Sequence, residues 1–367
     1  MSLKKNISHS DKYTQLLTVF KAHLGSDMNL ARIRLICLFI AALCKVKSVN
    51  YCKLSSGFDS MASAASCLRR IQRFIAEAEL PMKLISKLIF SILPNNKSLI
   101  LVMDRTNWKF GQHNINILML GVSYKNVAIP LMFKMLDKRG NSNTAERISL
   151  MEDFIGWFGK DHIGCLLADR EFIGERWLGF LNDNQIRYHI RIRNNFKVLL
   201  PNKQREITAW HLFNDLGLKQ FRHHEKIVRM HGELCYLSAT RTLVDGKVEF
   251  VILVSFNKPV EAMEYYKQRW QIETLFKSMK SGGFNIEDTH VTALDRLEKL
   301  IMITMLAFVW CYKIGDHIDG QIRPIKIKKH GRRAVSVFKY GLDYLSECLL
   351  SGFNKLNINL IQFLSCT

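Results

Sequence analysis

The sequence predicts an α/β fold: a mixed-sheet domain that carries an all-β insertion and follows a helical domain. Three observations predict it. Apolar residues recur at helical spacing through residues 11–92. From residue 98 short apolar runs alternate with helical segments, in the order strand, strand, strand, helix, strand, helix, strand. Between about 196 and 256 the helical period disappears, and the turn pairs His231-Gly232 and Asp245-Gly246 separate strand-like runs. The expected division is a helical domain over 1–96, an α/β domain over 97–345 with its β insertion at about 195–257, and a tail over 346–367.

Each element has a local reason. Amphipathic stretches at 12–24 and 28–47 are followed by short helices and then by 60-SMASAASCLRRIQRFIAEAEL-80, which Asp59 or Ser60 can cap. Gly57 in the preceding turn suggests a helix-turn-helix arrangement. The runs 98-SLILVMD-104, 115-INILMLGVS-123 and 127-VAIPLMFKML-136 read as a strand meander. Asn143 and Glu146 stand at capping-box spacing before a helix over 143–159. The run 163-IGCLLAD-169 is a buried strand, a helix follows around 174–184, and 187-RYHIRIR-193 is a further strand. In the insertion, 219–229, 233–243 and 247–256 read as strands. After it comes one helix over 265-YYKQRWQIETLFKSMKSGG-283, with Pro259 and Glu261 near its start and Gly282 past its end. A second apolar helix covers about 294–314.

Charge narrows the function. The chain of 367 residues holds 53 Lys and Arg against 32 Asp and Glu, a formal charge of +21. Such self-repulsion favours a polyanionic partner, with nucleic acid first and an anionic membrane surface second. The longest apolar runs, 35–44 and 300–312, are too short to span a bilayer. The N-terminus has no apolar signal core, and the nine cysteines form no CxxC pair and read as reduced structural thiols. A cytoplasmic protein is expected. Arg69, Arg70 and Arg73 on the 60–80 helix, and the run 323-RPIKIKKHGRRAVSVFK-339 with Lys328, Lys329, Arg332 and Arg333, are candidate phosphate contacts. His223, His224 and His231 are too loosely spaced for a zinc site.

The acids point to chemistry. Asp104 and Asp169 each close a short apolar strand, and in open α/β sheets that end faces the ligand crevice. If the two strands are neighbours, the carboxylates meet. A divalent cation relieves their repulsion, and oxygen ligands favour Mg²⁺ or Mn²⁺. On the 265–283 helix, Tyr266, Arg269, Glu273 and Lys280 share one stripe, within roughly 60° at helical pitch. Ion pairs at i,i+4 explain Arg269 and Lys277 beside Glu273, but not Tyr266 and Lys280. A third metal-binding carboxylate flanked by phosphate contacts explains all four. Trp108 is expected to pack beside such a site.

The ordered set 104-DRTNW-108, 167-LADREF-172 and Tyr266/Arg269/Glu273/Lys280 resembles the DDE transposases of bacterial insertion sequences. The resemblance is to the class with a Tyr-x2-Arg-x3-Glu-x6-Lys signature and a β-rich insertion, and it covers roughly 98–300. It implies a ribonuclease-H-like catalytic domain over 97–345 behind a helical DNA-binding domain over 1–96. It also implies a metal triad of Asp104, Asp169 and Glu273 holding two Mg²⁺ ions, with Mn²⁺ able to substitute, and DNA phosphate contacts from Tyr266, Arg269 and Lys280. An aromatic residue of the insertion, Trp210, would stack on a base flipped from the duplex. The implied reaction is cut-and-paste transposition on double-stranded DNA: cleavage at the terminal inverted repeats, then strand transfer into target DNA. A homodimer would act in a synaptic complex at the nucleoid, with no membrane and no small-molecule substrate. One departure is Arg170, Glu171 and Phe172 after the second aspartate, where many relatives carry a small residue; Glu171 is thus a rival ligand to Asp169. Two other functions stay open: a two-metal nuclease or resolvase of the same fold, and a non-catalytic DNA-binding remnant.

Overall fold

The computed structural model describes residues 9–94, 96–201, 203–244, 246–329, 331–352 and 354–364. The N-terminal part is helical: α1 (His9–Leu24), α2 (Leu30–Val46), α3 (Tyr51–Ser56), α4 (Ala64–Glu77) and α5 (Met82–Ser91). Asn29 and Asn50 cap α2 and α3 by accepting backbone N–H bonds, which satisfies donors that a helix start leaves open. The α4 start lies later than the sequence suggests. Its cap is Ser63, because Asp59 pairs with Lys45 and Ser60 accepts from the Ala62 N–H, holding 60–62 outside the helix.

The sheet begins with β1 (Leu99–Phe110), β2 (His113–Tyr124) and β3 (Val127–Met135). The two-residue connection between β1 and β2 makes them an antiparallel hairpin, and β3 is antiparallel to β2. Helix α6 (Thr144–Phe158) starts with the expected Asn143/Glu146 capping box. Then come β4 (Ile163–Ala168), α7 (Glu175–Asp183) and β5 (Tyr188–Ile192). β4 lies parallel to both β1 and β5, so the order β3-β2-β1-β4-β5 combines an antiparallel meander with a parallel core. This is a mixed sheet of the α/β kind that the sequence predicts. β1 runs six residues past Asp104, whereas the sequence places that acid at the strand end. The polar second half, Asp104–Phe110, pairs in the hairpin with β2, which apolar patterning does not register.

The insertion contributes β6 (Lys197–Val198), β7 (Ile207–Thr208), β8 (Phe221–His223), β9 (Val228–Met230), β10 (Glu233–Val244) and β11 (Lys247–Ser255). β6 and β7 form a small sheet of their own, but the long strands extend the main sheet: β11 pairs antiparallel with β5, and β10 follows outside it. The division of β11 explains this. Its buried half, Ile252–Ser255, is the part that pairs with β5, while exposed Lys247–Glu249 projects beyond.

After the insertion come a 3₁₀ turn (Pro259–Glu261), α8 (Ala262–Tyr266), a second 3₁₀ turn (Lys267–Trp270) and α9 (Gln271–Met279). The single helix expected over 265–283 is therefore broken. The break coincides with tertiary bonds: the Ser123 hydroxyl donates to Gln268 and Gln271, and Gln271 also accepts from the Tyr124 N–H. The chain ends with α10 (Leu294–His317) and α11 (Val337–Ser351).

Two compact units result. One holds Asn95–Asn107 and Asn116–Leu275; the other holds Met1–Pro94, Trp108–Ile115 and Phe276–Thr367. Residues 276–345, read from sequence with the sheet, thus group with the N-terminal helices. In that unit α10 is buried along nearly its whole length, its Lys299 ammonium donates to carbonyls at the end of α4, and α2 and α10 bring the Cys44 and Cys311 sulfurs to 3.7 Å. The described cysteines form no disulfide, and Cys366 lies outside the described residues. Among the described residues no helix is long and apolar enough to cross a membrane.

Candidate active site

The parallel register of β1 and β4 ends at Met103 opposite Ala168, and the next residue in each chain segment is an aspartate. Asp104 and Asp169 also share a local geometry. Each has its Oδ1 bonded to the backbone N–H of the following arginine, Arg105 or Arg170, at 2.7 Å. Burial pushes the Asp104 carboxyl up to about 6; the Arg105 N–H and the Arg269 guanidinium oppose that shift, and the charges of Glu171 and Asp169 add to it.

The segment around the second 3₁₀ turn reaches both acids. Arg269 is only 3% exposed. Its Nη1 donates to Asp104 Oδ2 at 3.1 Å and its Nη2 to Glu273 Oε1 at 2.6 Å, so one guanidinium bridges two of the three acids. Burial works against this cation, but Tyr266, Glu273 and Asp104 together hold its pKa above the ordinary arginine value. The Tyr266 hydroxyl donates to Asp169 Oδ1 at 3.4 Å, and burial followed by the Asp169 charge raises the phenol well above its usual range. Arg269 also lies over the Trp270 ring, 4.5 Å from its centre.

Glu171 is engaged elsewhere. Arg105 donates to both of its oxygens at 3.3 Å, and to Asn116 at 3.0 Å and Asn141 at 3.1 Å. Asn116 in turn donates to the Lys138 and Gly140 carbonyls. Arg147, buried, donates to Ser142 and stands over the Phe172 ring at 5.0 Å. Arg105, Asn116, Gln268 and Gln271 are residues that sequence reasoning missed. The only trace of Arg105 was the Asp-Arg pair that recurs at 169–170.

Three carboxylates form an all-oxygen donor set suited to a hard divalent cation. A positive charge already sits among them, since the Arg269 guanidinium stands where a cation between Asp104 and Glu273 would balance charge. In this arrangement no three acidic, imidazole or thiol groups among the described residues stand close enough to share one ion. The donor chemistry fits a metal; the side-chain positions favour the guanidinium.

The remaining candidates are dispersed. Lys280, just past α9, pairs with Glu287 at 2.8 Å and stands over the buried Trp108 ring at 5.5 Å; these residues belong to the helical unit. Trp210 lies in a 3₁₀ turn of the insertion, 38% exposed, its ring edge-on to His211 and its backbone N–H donating to the Asn194 carbonyl. Arg69, Arg70 and Arg73 are exposed on α4. Lys328, Lys329, Arg332 and Arg333 are exposed on a tight turn closed by Lys328 N–H to Arg332 O, with Arg333 paired to Asp319 at 2.8 Å.

Comparison with known proteins adds the family. No curated protein matches this chain in sequence. Among solved structures, a piggyBac transposase in a synaptic complex with hairpin DNA is similar over 95% of this chain and 80% of that one, at 14% identity and a TM-score of 0.47. The family described as "Transposase DDE domain" matches residues 96–310, more than half of the chain and the whole span from Asp104 to Glu273. The chain belongs to the DDE transposase family and is a DNA transposase, of a family that generally uses divalent metals.

Proposed function

We propose that Asp104, Asp169 and Glu273 form the metal-binding triad of this transposase, and that it cuts the ends of a mobile element and joins them to target DNA. The observation that carries the reading is Arg269, which bonds Asp104, 165 residues before it, and Glu273, four residues after it, and so draws the two acids together. Bound Mg²⁺, or Mn²⁺ in its place, would supply charge stabilisation at the attacking and leaving oxygens of an in-line displacement, two ions serving the two oxygens. Asp104 and Asp169, fixed at the end of a rigid parallel strand pair, hold the reacting phosphodiester's surroundings in place. Tyr266, Arg269 and Lys280 contact phosphates beside the scissile bond. Water attacks the phosphodiester at the element's end and the 3′ oxygen leaves; that 3′-OH then attacks a target phosphodiester in the same sense.

In this reading Arg69, Arg70, Arg73, Lys328, Lys329, Arg332 and Arg333 bind the duplex, supported by their exposure and by the +21 charge. Trp210 takes a flipped base by stacking, supported by its half-exposed ring. The partners are terminal inverted repeats and target DNA, the working form is a homodimer that synapses two ends, and the site of action is the cytoplasmic nucleoid. The test is cleavage of DNA bearing the element's ends. Asp104→Ala, Asp169→Ala and Glu273→Ala are each expected to abolish Mg²⁺-dependent cutting while end binding persists. Normal cutting by any of them overturns the assignment. Nicking by the wild type without strand-transfer product would instead mark a nuclease, and binding without cutting would mark a remnant.

A further inference from the structure

We infer that Arg269 is an internal counter-ion that holds the place of the metal and couples metal loading to DNA binding. The inference rests on the reading that Asp104, Asp169 and Glu273 take the metal. In the DNA-free protein the two oxygens of Asp104 are both engaged, Oδ1 by the Arg105 N–H and Oδ2 by Arg269 Nη1. The other arm of the same guanidinium holds Glu273. A divalent cation entering between these acids meets a fixed positive charge, buried and therefore weakly screened. The guanidinium cannot lose its proton, so it leaves only by finding another anion. A DNA phosphate is such an anion, with oxygens that match the planar fork of arginine. A phosphate that draws Arg269 away releases Asp104 and Glu273 to the cation. Metal then binds well only when DNA is present, and by linkage DNA binds better when metal is present, by the same factor. Gln268 and Gln271, pinned to Ser123 and Tyr124, fix the turn that carries Arg269, so the exchange requires movement of the side chain and not of the segment.

The test is a Mn²⁺ titration of the full-length, DNA-free protein, read by loss of the free-ion paramagnetic resonance signal. Arg269→Gln is expected to bind Mn²⁺ about tenfold or more tightly than wild type. Adding Asp104→Asn to Arg269→Gln is expected to abolish that binding. Arg269→Lys, which keeps a buried cation but reaches one carboxylate at a time, is expected to fall between. Equal or weaker Mn²⁺ binding by Arg269→Gln overturns the inference, because a residue that merely assembles the carboxylates loses metal affinity when removed. If circular dichroism shows Arg269→Gln to be unfolded, Arg269→Lys decides by the same criterion. A last arm titrates wild type with a short mixed-sequence duplex, with and without Mn²⁺. Enhancement of duplex binding by Mn²⁺ in wild type and a smaller enhancement in Arg269→Lys is expected; equal enhancement in both overturns the coupling. If Asp104→Asn leaves Mn²⁺ binding unchanged in every background, the metal-site reading itself falls, an outcome distinct from tight Asp104-dependent binding that ignores Arg269.

Discussion

Asp104 and Asp169 are each followed by an arginine, yet the two arginines differ in what they do. Arg105 is folded back onto Glu171, Asn116 and Asn141, while Arg170 contributes its backbone N–H to Asp169. Glu171 is thereby committed to Arg105. Glu171→Gln should retain Mg²⁺-dependent cutting to within a few-fold, measured beside Asp169→Ala; loss of cutting in Glu171→Gln would move the ligand assignment. Arg105→Ala should cost about 2–4 kcal/mol in urea unfolding, because it strands a partly buried carboxylate and two amides. The closeness of Asp104 and Asp169 was legible in sequence from their matching strand contexts. The Arg105 network was not, because its partners are polar residues scattered over 66 positions with no periodicity to join them.

At the level of elements, the strands and the α6 capping box follow the patterning closely, since burial on one face enforces a period. The break between α8 and α9 does not. A stripe of side chains looks alike whether or not a 3₁₀ turn interrupts it, and here tertiary bonds to Ser123 and Tyr124 accompany the turn. The joining of β11 to β5 was hidden for a similar reason: hairpin signals reveal neighbours in sequence and say nothing of which strand closes the sheet. Gln271→Ala removes an acceptor from Ser123 and Tyr124 and loosens the turn that aims Arg269. It should slow cutting about tenfold or more while leaving the DNA dissociation constant within about twofold, a split visible in single-turnover kinetics against anisotropy titrations. Equal loss in both would mean that the turn only supports the fold.

Over the whole molecule, the helical character of the N-terminal part and the order of strands and helices along residues 98–193 were anticipated, but the grouping of 276–364 with the N-terminal helices was not. Sequence order suggests consecutive domains, whereas α10 is buried along a face that α2, α4 and α5 share with it. The +21 charge implies DNA binding that weakens steeply with salt. Lys328→Ala combined with Lys329→Ala should reduce the slope of log K against log salt by about two, and an unchanged slope would exclude both as phosphate contacts. The central claim is that Asp104, Asp169 and Glu273 together hold the metal ions once DNA is bound. The most direct measurement is an anomalous difference map of DNA-bound crystals soaked in Mn²⁺. The account predicts Mn²⁺ peaks that between them lie about 2.2 Å from oxygens of all three carboxylates, with Arg269 moved off Asp104 onto a phosphate. A peak held by Glu171, or Mn²⁺ bound elsewhere while Arg269 still bridges Asp104 and Glu273, would contradict it.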